Sequence, residues 1–437
     1  MEKLKNILQW WFEYQIPPFI ERNGYDGLLD TRLIPVLIGP RRSGKSTLFF
    51  QLISKLRKDV PSQNIVYINY EDDRLLPFEG GELAKLLDVY RQFFEVAPEA
   101  PIFLFLDEIQ NVPNWEKVIW RIYETEANVK LFITGSNSKM LSSDIATALR
   151  GRTLTYKVFP LSFREYLGFK GVQVPQIDRL PYSGRKNEIL FFFSQYMRYG
   201  GFPEVVLAET MQEKEAILKE YLHTVFFADI VQRYSIRQIK VLDNFIKILT
   251  RQMSCLVSMG KMAASLESIG FKVSKSTLIE YLGYLEDAFL GKTVSIFSYL
   301  VKDQLQYPKK FYLLDNGMYQ VTSFIKEKDW GRLLENMVFC HLYRKYDDLY
   351  YWKSSSGYEV DFVLPQFFGQ NDEFPLIQVC YDLTSEKSET REIRALELAA
   401  KEFKVSKALI ITRDLRASFE RNGLEIEVKP FYQWALG

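Results

Sequence analysis

Two rhythms of apolar and polar residues run along this chain, and the change falls near residue 160. Before it, continuous apolar runs recur at 33–38, 65–70, 101–106 and 128–136. An unbroken run of this length, rather than strict alternation, predicts a strand covered on both faces. Stretches with apolar residues three and four apart lie between the runs, at 49–56 and after Asn114, a predicted helix cap. Strand and helix in alternation predict a parallel sheet wound by helices, with ligand chemistry at the C-terminal strand ends. Beyond 160, helical spacing dominates at 191–197, 213–227 and 241–253, and strand-like segments return at 350–352, 358–364 and 375–382.

The first apolar run ends at Gly39, and 39–46 reads Gly-Pro-Arg-Arg-Ser-Gly-Lys-Ser, with Thr47 and a helical pattern behind it. That satisfies G-x-x-x-x-G-K-[ST] in the strand, loop, helix order of a phosphate-binding loop. Gly39 and Gly44 let the backbone aim consecutive N–H groups at one anion, with Pro40, Arg41, Arg42 and Ser43 completing the loop. The helix starting near Lys45 adds its positive dipole end. Lys45 is expected to reach the β- and γ-phosphates of ATP and Ser46 to hold Mg2+.

The run at 101–106 ends in Asp107-Glu108-Ile-Gln110. Asp107 at the strand end suits magnesium held through water, and Glu108 suits a general base polarising the attacking water. The run at 128–136 ends in Thr134-Gly-Ser-Asn137, where Asn137, or Ser136 beside it, is placed to sense a γ-phosphate.

The loop, Leu-Asp-Glu-Ile-Gln and Ile-Thr-Gly-Ser-Asn together resemble the AAA+ class of P-loop ATPases. More narrowly, they resemble a prokaryotic family that joins such a core to a C-terminal domain of unassigned function. Three further pieces carry the likeness: Leu-Arg-Gly-Arg-Thr at 149–153, Phe-Pro-Leu-Ser-Phe-Arg-Glu-Tyr at 159–166 and Gly-Gly-Phe-Pro-Glu-Val at 200–205. The resemblance covers nearly the whole chain. It implies that Arg150 or Arg152, with Arg152 preferred, acts as a γ-phosphate sensor or arginine finger, in its own subunit or a neighbour's.

In the C-terminal half, His223 reads as a packed or capping histidine, and Asp229 with Arg233 as a salt-bridged helix pair. Residues 259–300 resemble a winged helix, with helices over 261–269 and from the cap Ser274 to about 287, and a wing over 291–300. Lys272, Lys275, Lys292, Lys302, Lys309 and Lys310 offer nonspecific DNA contacts, against Glu280, Glu286 and Asp287. Packing or protein docking is the favoured role of this module over DNA binding.

The last segment is similar to the core of PD-(D/E)xK nucleases: a helix with Glu335, strands at 350–352 and 358–364 carrying Asp361, then a strand over 375–382. That chemistry needs two acids on magnesium and a lysine two residues after the second. Here the second acid is Gln378 and the lysine is Cys380, with Lys353 a remote substitute. The expectation is a nuclease-like fold without cleavage; Glu392 and Arg394 in the following helix read as surface charges.

At 437 residues the chain suffices for two or three domains, and the motifs divide it into an ATPase core at 1–160, a helical region at 161–255, a winged-helix-like module at 256–320 and a nuclease-like domain at 321–437. A net charge of +1 gives no electrostatic case for or against nucleic acid. Cys255, Cys340 and Cys380 are far apart and, with His223 and His341, give no zinc spacing; they suit a reducing compartment. The N-terminus lacks a signal-peptide pattern and no run is long enough to span a bilayer, which predicts a soluble, cytoplasmic protein with no membrane partner. The expected function is Mg-dependent ATP hydrolysis, with the C-terminal arm sensing or acting on a partner, DNA or protein, or on a second copy of the chain. The alternatives are a nucleotide-gated DNA nuclease and a non-catalytic ATP switch.

Overall fold

The four apolar runs become β1 (Ile34–Ile38), β2 (Ile65–Asn69), β3 (Ile102–Asp107) and β4 (Val129–Gly135). A fifth strand, β5 (Thr153–Lys157), carries no apolar run because it is the half-exposed edge. All five pair in parallel, in the order β2-β3-β4-β1-β5. The structure is a computed structural model that describes every residue except 77–80, 95–96, 98–99, 138–148, 150, 324–328, 371 and 384–385. The chain forms two compact units, residues 1–158 with 287–289 and residues 159–286 with 290–437.

In the first unit the strands alternate with α1 (Glu2–Glu13), α2 (Lys45–Leu56), α3 (Glu82–Phe93) and α4 (Trp115–Thr125). Trp11, Leu48, Phe49, Leu52, Phe105 and Phe132 form a core against the sheet. Trp11 also ties α1 to the start of β2 by donating its indole N–H to the Ile65 carbonyl at 2.7 Å. Asn114 precedes α4 as expected, but its side chain makes no cap hydrogen bond. It stands at φ 55°, a left-handed turn that Asn tolerates better than most residues.

The second unit opens with α5 (Phe163–Phe169), α6 (Lys186–Tyr199), α7 (Met211–Thr224), α8 (Ile239–Arg251), α9 (Met259–Ser268) and α10 (Lys275–Asp287). Ser274 accepts from the Thr277 N–H at 3.1 Å and so caps α10. Further on come α11 (Asn316–Thr322), α12 (Trp330–Tyr343) and α13 (Glu386–Phe403). The strands are β6 (Cys255–Val257), β7 (Gly291–Ile296), β8 (Lys309–Leu313), β9 (Tyr350–Lys353), β10 (Glu359–Val363), β11 (Leu376–Val379), β12 (Lys407–Thr412), β13 (Ala417–Arg421) and β14 (Leu424–Pro430). They make one mixed sheet, β13-β14-β12-β11-β10-β9-β7-β8-β6. The expected wing strand β7 runs parallel to β9, Ser295 opposite Tyr350, so residues 256–320 and 321–437 share this sheet. Among the described residues no helix is long and apolar enough to cross a membrane, and all three cysteines are free.

The Phe-Pro-Leu-Ser and Gly-Gly-Phe-Pro segments owe their composition to one close approach. Ser162 and Glu165 form a reciprocal capping box on α5. Just before it, the Leu161 N–H donates to the Gly201 carbonyl at 2.7 Å. The Gly201 N–H in turn donates to Asp315 Oδ2 at 2.7 Å. A Cβ at Gly201 would lie 2.2 Å from the Leu161 carbonyl oxygen. One at Gly200, which has φ 74°, would lie 1.7 Å from Asp315 Oδ1. Only glycine fits both positions.

On α12, His341 packs its ring 4.4 Å from the ring of Trp434 and 6.4 Å from that of Phe431. Burial, helped by the Lys345 and Arg344 cations, pushes the imidazole down to about 3 from its ordinary 6.5. A depressed folded-state value stabilises the fold above pH 6.5, and this contribution is lost as pH falls toward 3. Acidifying from pH 7.5 to 5 therefore removes about 2 kcal/mol through this residue. Urea unfolding of the full chain at both pH values checks it: His341→Phe is expected to flatten the dependence by that amount, and an unchanged slope would exclude His341 as its source.

Candidate P-loop site

β1 ends at Ile38 and α2 begins at Lys45, so the glycine-rich segment closes the gap between a fully buried strand and a helix N-terminus. Gly39 has no room for a side chain, because a Cβ there would sit 2.1 Å from the Val158 carbonyl oxygen. Arg42 and Gly44 take left-handed backbone at φ 64° and 95°, which curls the loop over the helix end. The first-turn N–H groups of α2 have no intrahelical acceptor and face the concavity so formed. Ser43 is fully buried, and its Oγ has no hydrogen-bond partner.

Lys45 is 4% exposed and folds back on its own loop. Its Nζ donates to the Gly39 and Pro40 carbonyls at 3.1 Å each and lies 3.5 Å from Glu108 Oε1. Ser46 hydrogen-bonds the Asp107 carboxylate. Asp107 is fully buried; Tyr67 donates to its Oδ2 at 2.8 Å, and Thr134 donates to its Oδ1. Burial, then the neighbouring Glu108 charge, pushes the Asp107 carboxyl up despite hydrogen bonds from Ser46, Thr134 and Tyr67. Glu108 goes the other way. Burial alone would raise it, but Lys45, Gln110, Arg41 and Ser136 together hold it below the usual carboxylate range. Two adjacent buried acids whose ionisation is disfavoured at one of them form a site to which a divalent cation is electrostatically suited.

Glu108 stands at φ 52°, turned out of the strand line, and its carboxylate accepts from Gln110 Nε2 at 2.6 Å. Ser136 is 1% exposed and lies within reach of the same Gln110 amide at 3.4 Å. Asn137 is buried beside it at the end of β4. The loop, both acids and the Ser136–Asn137 corner are thus gathered at the C-terminal edge of the sheet.

Arg152 is not gathered there. Its carbonyl accepts from Ile34 N–H at 2.8 Å, level with the start of β1, whereas the loop leaves the end of that strand. The separation is roughly 13 Å of strand. Its guanidinium pairs with Glu124 at 3.1 Å and lies over the Tyr123 ring. Within one copy of the chain the parallel sheet puts Arg152 and this loop at opposite edges. Arg150 lies outside the described residues.

Three supporting residues have roles that their local sequence does not signal. Tyr67 sits mid-strand and resembles any core tyrosine. Gln110 has a buried Oε1 without a partner. Arg22 donates to the Ser43 carbonyl at 3.0 Å, and its backbone exchanges two hydrogen bonds with the Gln51 side chain. Nothing local to Arg22 signals that contact.

In the second unit, Glu335 and Asp361 meet on Lys310 and the Asp361 N–H donates to Gln378 Oε1, whereas the Cys380 thiol donates to the Asp382 carbonyl. Lys310, from β8, is 2% exposed and pairs with Asp361 at 2.8 Å, Glu335 at 3.0 Å and Glu359 at 2.7 Å. Among the described residues Lys353 pairs with Glu359 alone, at 3.5 Å. Glu392 is not a surface charge: it is 4% exposed and accepts from Gln378 Nε2 at 2.6 Å and from Arg391. Its helical spacing gave no hint that this face of α13 turns inward. A cleft of about 380 Å³ opens beside Glu359, Asp361, Gln378 and Glu392.

A sequence profile described as an AAA domain matches residues 31–167. Two others, each described as a domain of unknown function, match 191–329 and 330–432. Uncharacterized protein MJ1544 of Methanocaldococcus jannaschii is 39% identical over 426 residues, 93% of this chain and 90% of its own. An uncharacterized protein of Haemophilus influenzae is 31% identical over 402 residues, 91% of this chain and 93% of its own. This chain belongs to their family. Residues 31–167 are an AAA domain of the P-loop type, as the loop, Leu-Asp-Glu-Ile-Gln and Ile-Thr-Gly-Ser-Asn imply. Among solved structures, the Walker-type ATPase PABY2304 of Pyrococcus abyssi aligns with 71% of this family member and 99% of its own chain, at 15% identity and TM-score 0.42. The ORC1 protein of Aeropyrum pernix, solved in complex with DNA, aligns with 78% and 92%, at 12% and 0.33.

Proposed function

We propose that this chain hydrolyses ATP with magnesium at the P-loop and uses the cycle to set the state of its second unit toward a partner. The observation that carries the reading is the convergence of Lys45, Ser46, Asp107 and Glu108 at one strand edge, beneath a loop that excludes side chains at Gly39. The loop N–H groups and Lys45 bind phosphate oxygens, releasing the ammonium from the Gly39 and Pro40 carbonyls. Ser46 and Asp107 hold magnesium, which when bound neutralises charge on the phosphate oxygens. Glu108, low in pKa and oriented by Gln110, keeps its carboxylate free to take a proton from water. Ser136 meets that carboxylate, and Asn137, or Ser136 beside it, reports phosphate occupancy.

For the partner, a protein or a second copy of the chain is favoured over DNA. Of the lysines proposed to meet DNA, Lys310 is buried and Lys292 pairs with Glu286 at 2.8 Å. Fluorescent-ATP titration of the full chain tests the site: affinity is expected to fall at least tenfold when EDTA replaces magnesium or Ser46 becomes Ala. Affinity indifferent to both would reject the metal assignment. Turnover measured with and without duplex DNA is expected to agree within twofold, and a larger rise with DNA would reverse the order of partners.

A further inference from the structure

The resemblance of residues 330–382 to metal-dependent nucleases implies a divalent cation on Asp361, and the residues present do not fit one. Each carboxylate oxygen of Asp361 already meets a donor: Oδ1 takes Lys310 Nζ at 2.8 Å and Oδ2 takes the Val379 N–H at 3.0 Å. Gln378 spends both ends of its amide, accepting from Asp361 N–H at 3.1 Å and donating to Glu392 at 2.6 Å. Cys380 donates its thiol to the Asp382 carbonyl at 3.2 Å, and burial pushes that thiol up to about 11, so it supplies neither cation nor thiolate near neutral pH. Among the described residues no group of three or more His, Cys, Asp and Glu is placed to hold a metal ion.

What fills the centre is Lys310. It comes from β8, beyond the segment that carries the resemblance, and its ammonium is ringed by Glu335, Glu359 and Asp361 between 2.7 and 3.0 Å. Tyr312, two residues along the same strand face, donates to Glu335 at 2.7 Å. Burial, then the nearby Asp361, pushes the Glu335 carboxyl well above the usual carboxylate range, which trims the surplus of negative charge. An ammonium supplies one fixed charge and three hydrogen bonds, enough to satisfy such a ring without a metal.

We propose that Lys310 is a built-in cation standing where metal-dependent nucleases carry theirs, which makes the carboxylate ring of this unit structural and metal-independent. The ring then locks β8, β10 and α12 together. It has no Lewis acid to offer a phosphodiester, whatever the P-loop does.

The test uses the full chain without nucleotide. Mn2+ titration followed by electron paramagnetic resonance is expected to give the same bound metal for wild type and Asp361→Asn, and wild-type Tm is expected to shift by less than about 1 °C between EDTA and millimolar Mn2+. Lys310→Ala leaves the acids without a cation; its Tm is expected to fall by about 8 °C or more and to regain at least half of that loss in Mn2+ but not in Na+. A wild-type Mn2+ site abolished by Asp361→Asn would overturn the proposal, as would Lys310→Ala matching wild-type stability or failing to recover in Mn2+. The Mn2+ titration requires only wild type and Asp361→Asn, so it decides the question even where Lys310→Ala does not fold.

Discussion

Glu108→Gln is expected to lower ATP turnover by about 10²- to 10⁴-fold, the range for removing a positioned general base, while leaving ATP affinity within a few-fold of wild type. The amide keeps the shape of the side chain and its position opposite Gln110 and Ser136, but it cannot accept the proton of the attacking water. Affinity survives because the loop and Lys45, rather than Glu108, meet the phosphates. Lys45 also loses an ionic partner 3.5 Å away. That loss frees the ammonium for the nucleotide, so tighter rather than weaker binding is the expected direction. Single-turnover hydrolysis beside equilibrium binding separates the two effects. A drop of less than about tenfold would remove Glu108 from the base role, and a parallel loss of affinity would make it part of the binding surface.

The second large effect is structural. Asn336 is fully buried in α12 and stitches three elements. Its Oδ1 accepts from Leu313 N–H at 2.9 Å, and its Nδ2 donates to the Leu313 carbonyl at 3.0 Å and to Asn316 Oδ1 at 2.8 Å. Asn316 continues the chain to the Met197 and Leu333 carbonyls at 2.8 and 3.0 Å. Asn336→Ala strands the Leu313 N–H and Asn316 Oδ1, each worth about 1–3 kcal/mol when left unpaired, while the Leu313 carbonyl keeps the Cys340 thiol at 3.3 Å. With partial relaxation the expected loss is about 4 kcal/mol, or roughly 10 °C in the melting of the second unit. Asn336→Asp keeps the acceptor for Leu313 N–H but loses both donors, and should be no more stable than the alanine variant. A change below about 1 kcal/mol in Asn336→Ala would mean that water or a shifted backbone replaces the network.

What was legible in the sequence follows from the range of the interactions. β1 to β4 are covered on both faces and announce themselves as unbroken apolar runs; β5, a half-exposed edge, does not. The P-loop was legible because its chemistry is contiguous: two glycines, a lysine and a serine act from one turn. Arg152 could not be placed from its motif, which gives neighbourhood in sequence, not which edge of a sheet the side chain meets. Glu392 was read as surface because one acid in a charged helix says nothing of which face turns inward. Lys310 lies 51 residues from Asp361 in sequence, and only the order of strands in the mixed sheet brings β8 near β10. The glycine pair at 200–201 is visible as a motif, but its physical reason lies in Leu161 and Asp315 packed against it, distant in sequence.

The P-loop and its two acids are proposed to form a working magnesium-ATP site. Steady-state phosphate release by the purified chain, in magnesium and in EDTA, beside Lys45→Ala, tests it most directly. Turnover that requires magnesium and disappears in Lys45→Ala is the predicted result. Tight, magnesium-dependent ATP binding with no turnover would contradict it, leaving a nucleotide switch in place of an ATPase.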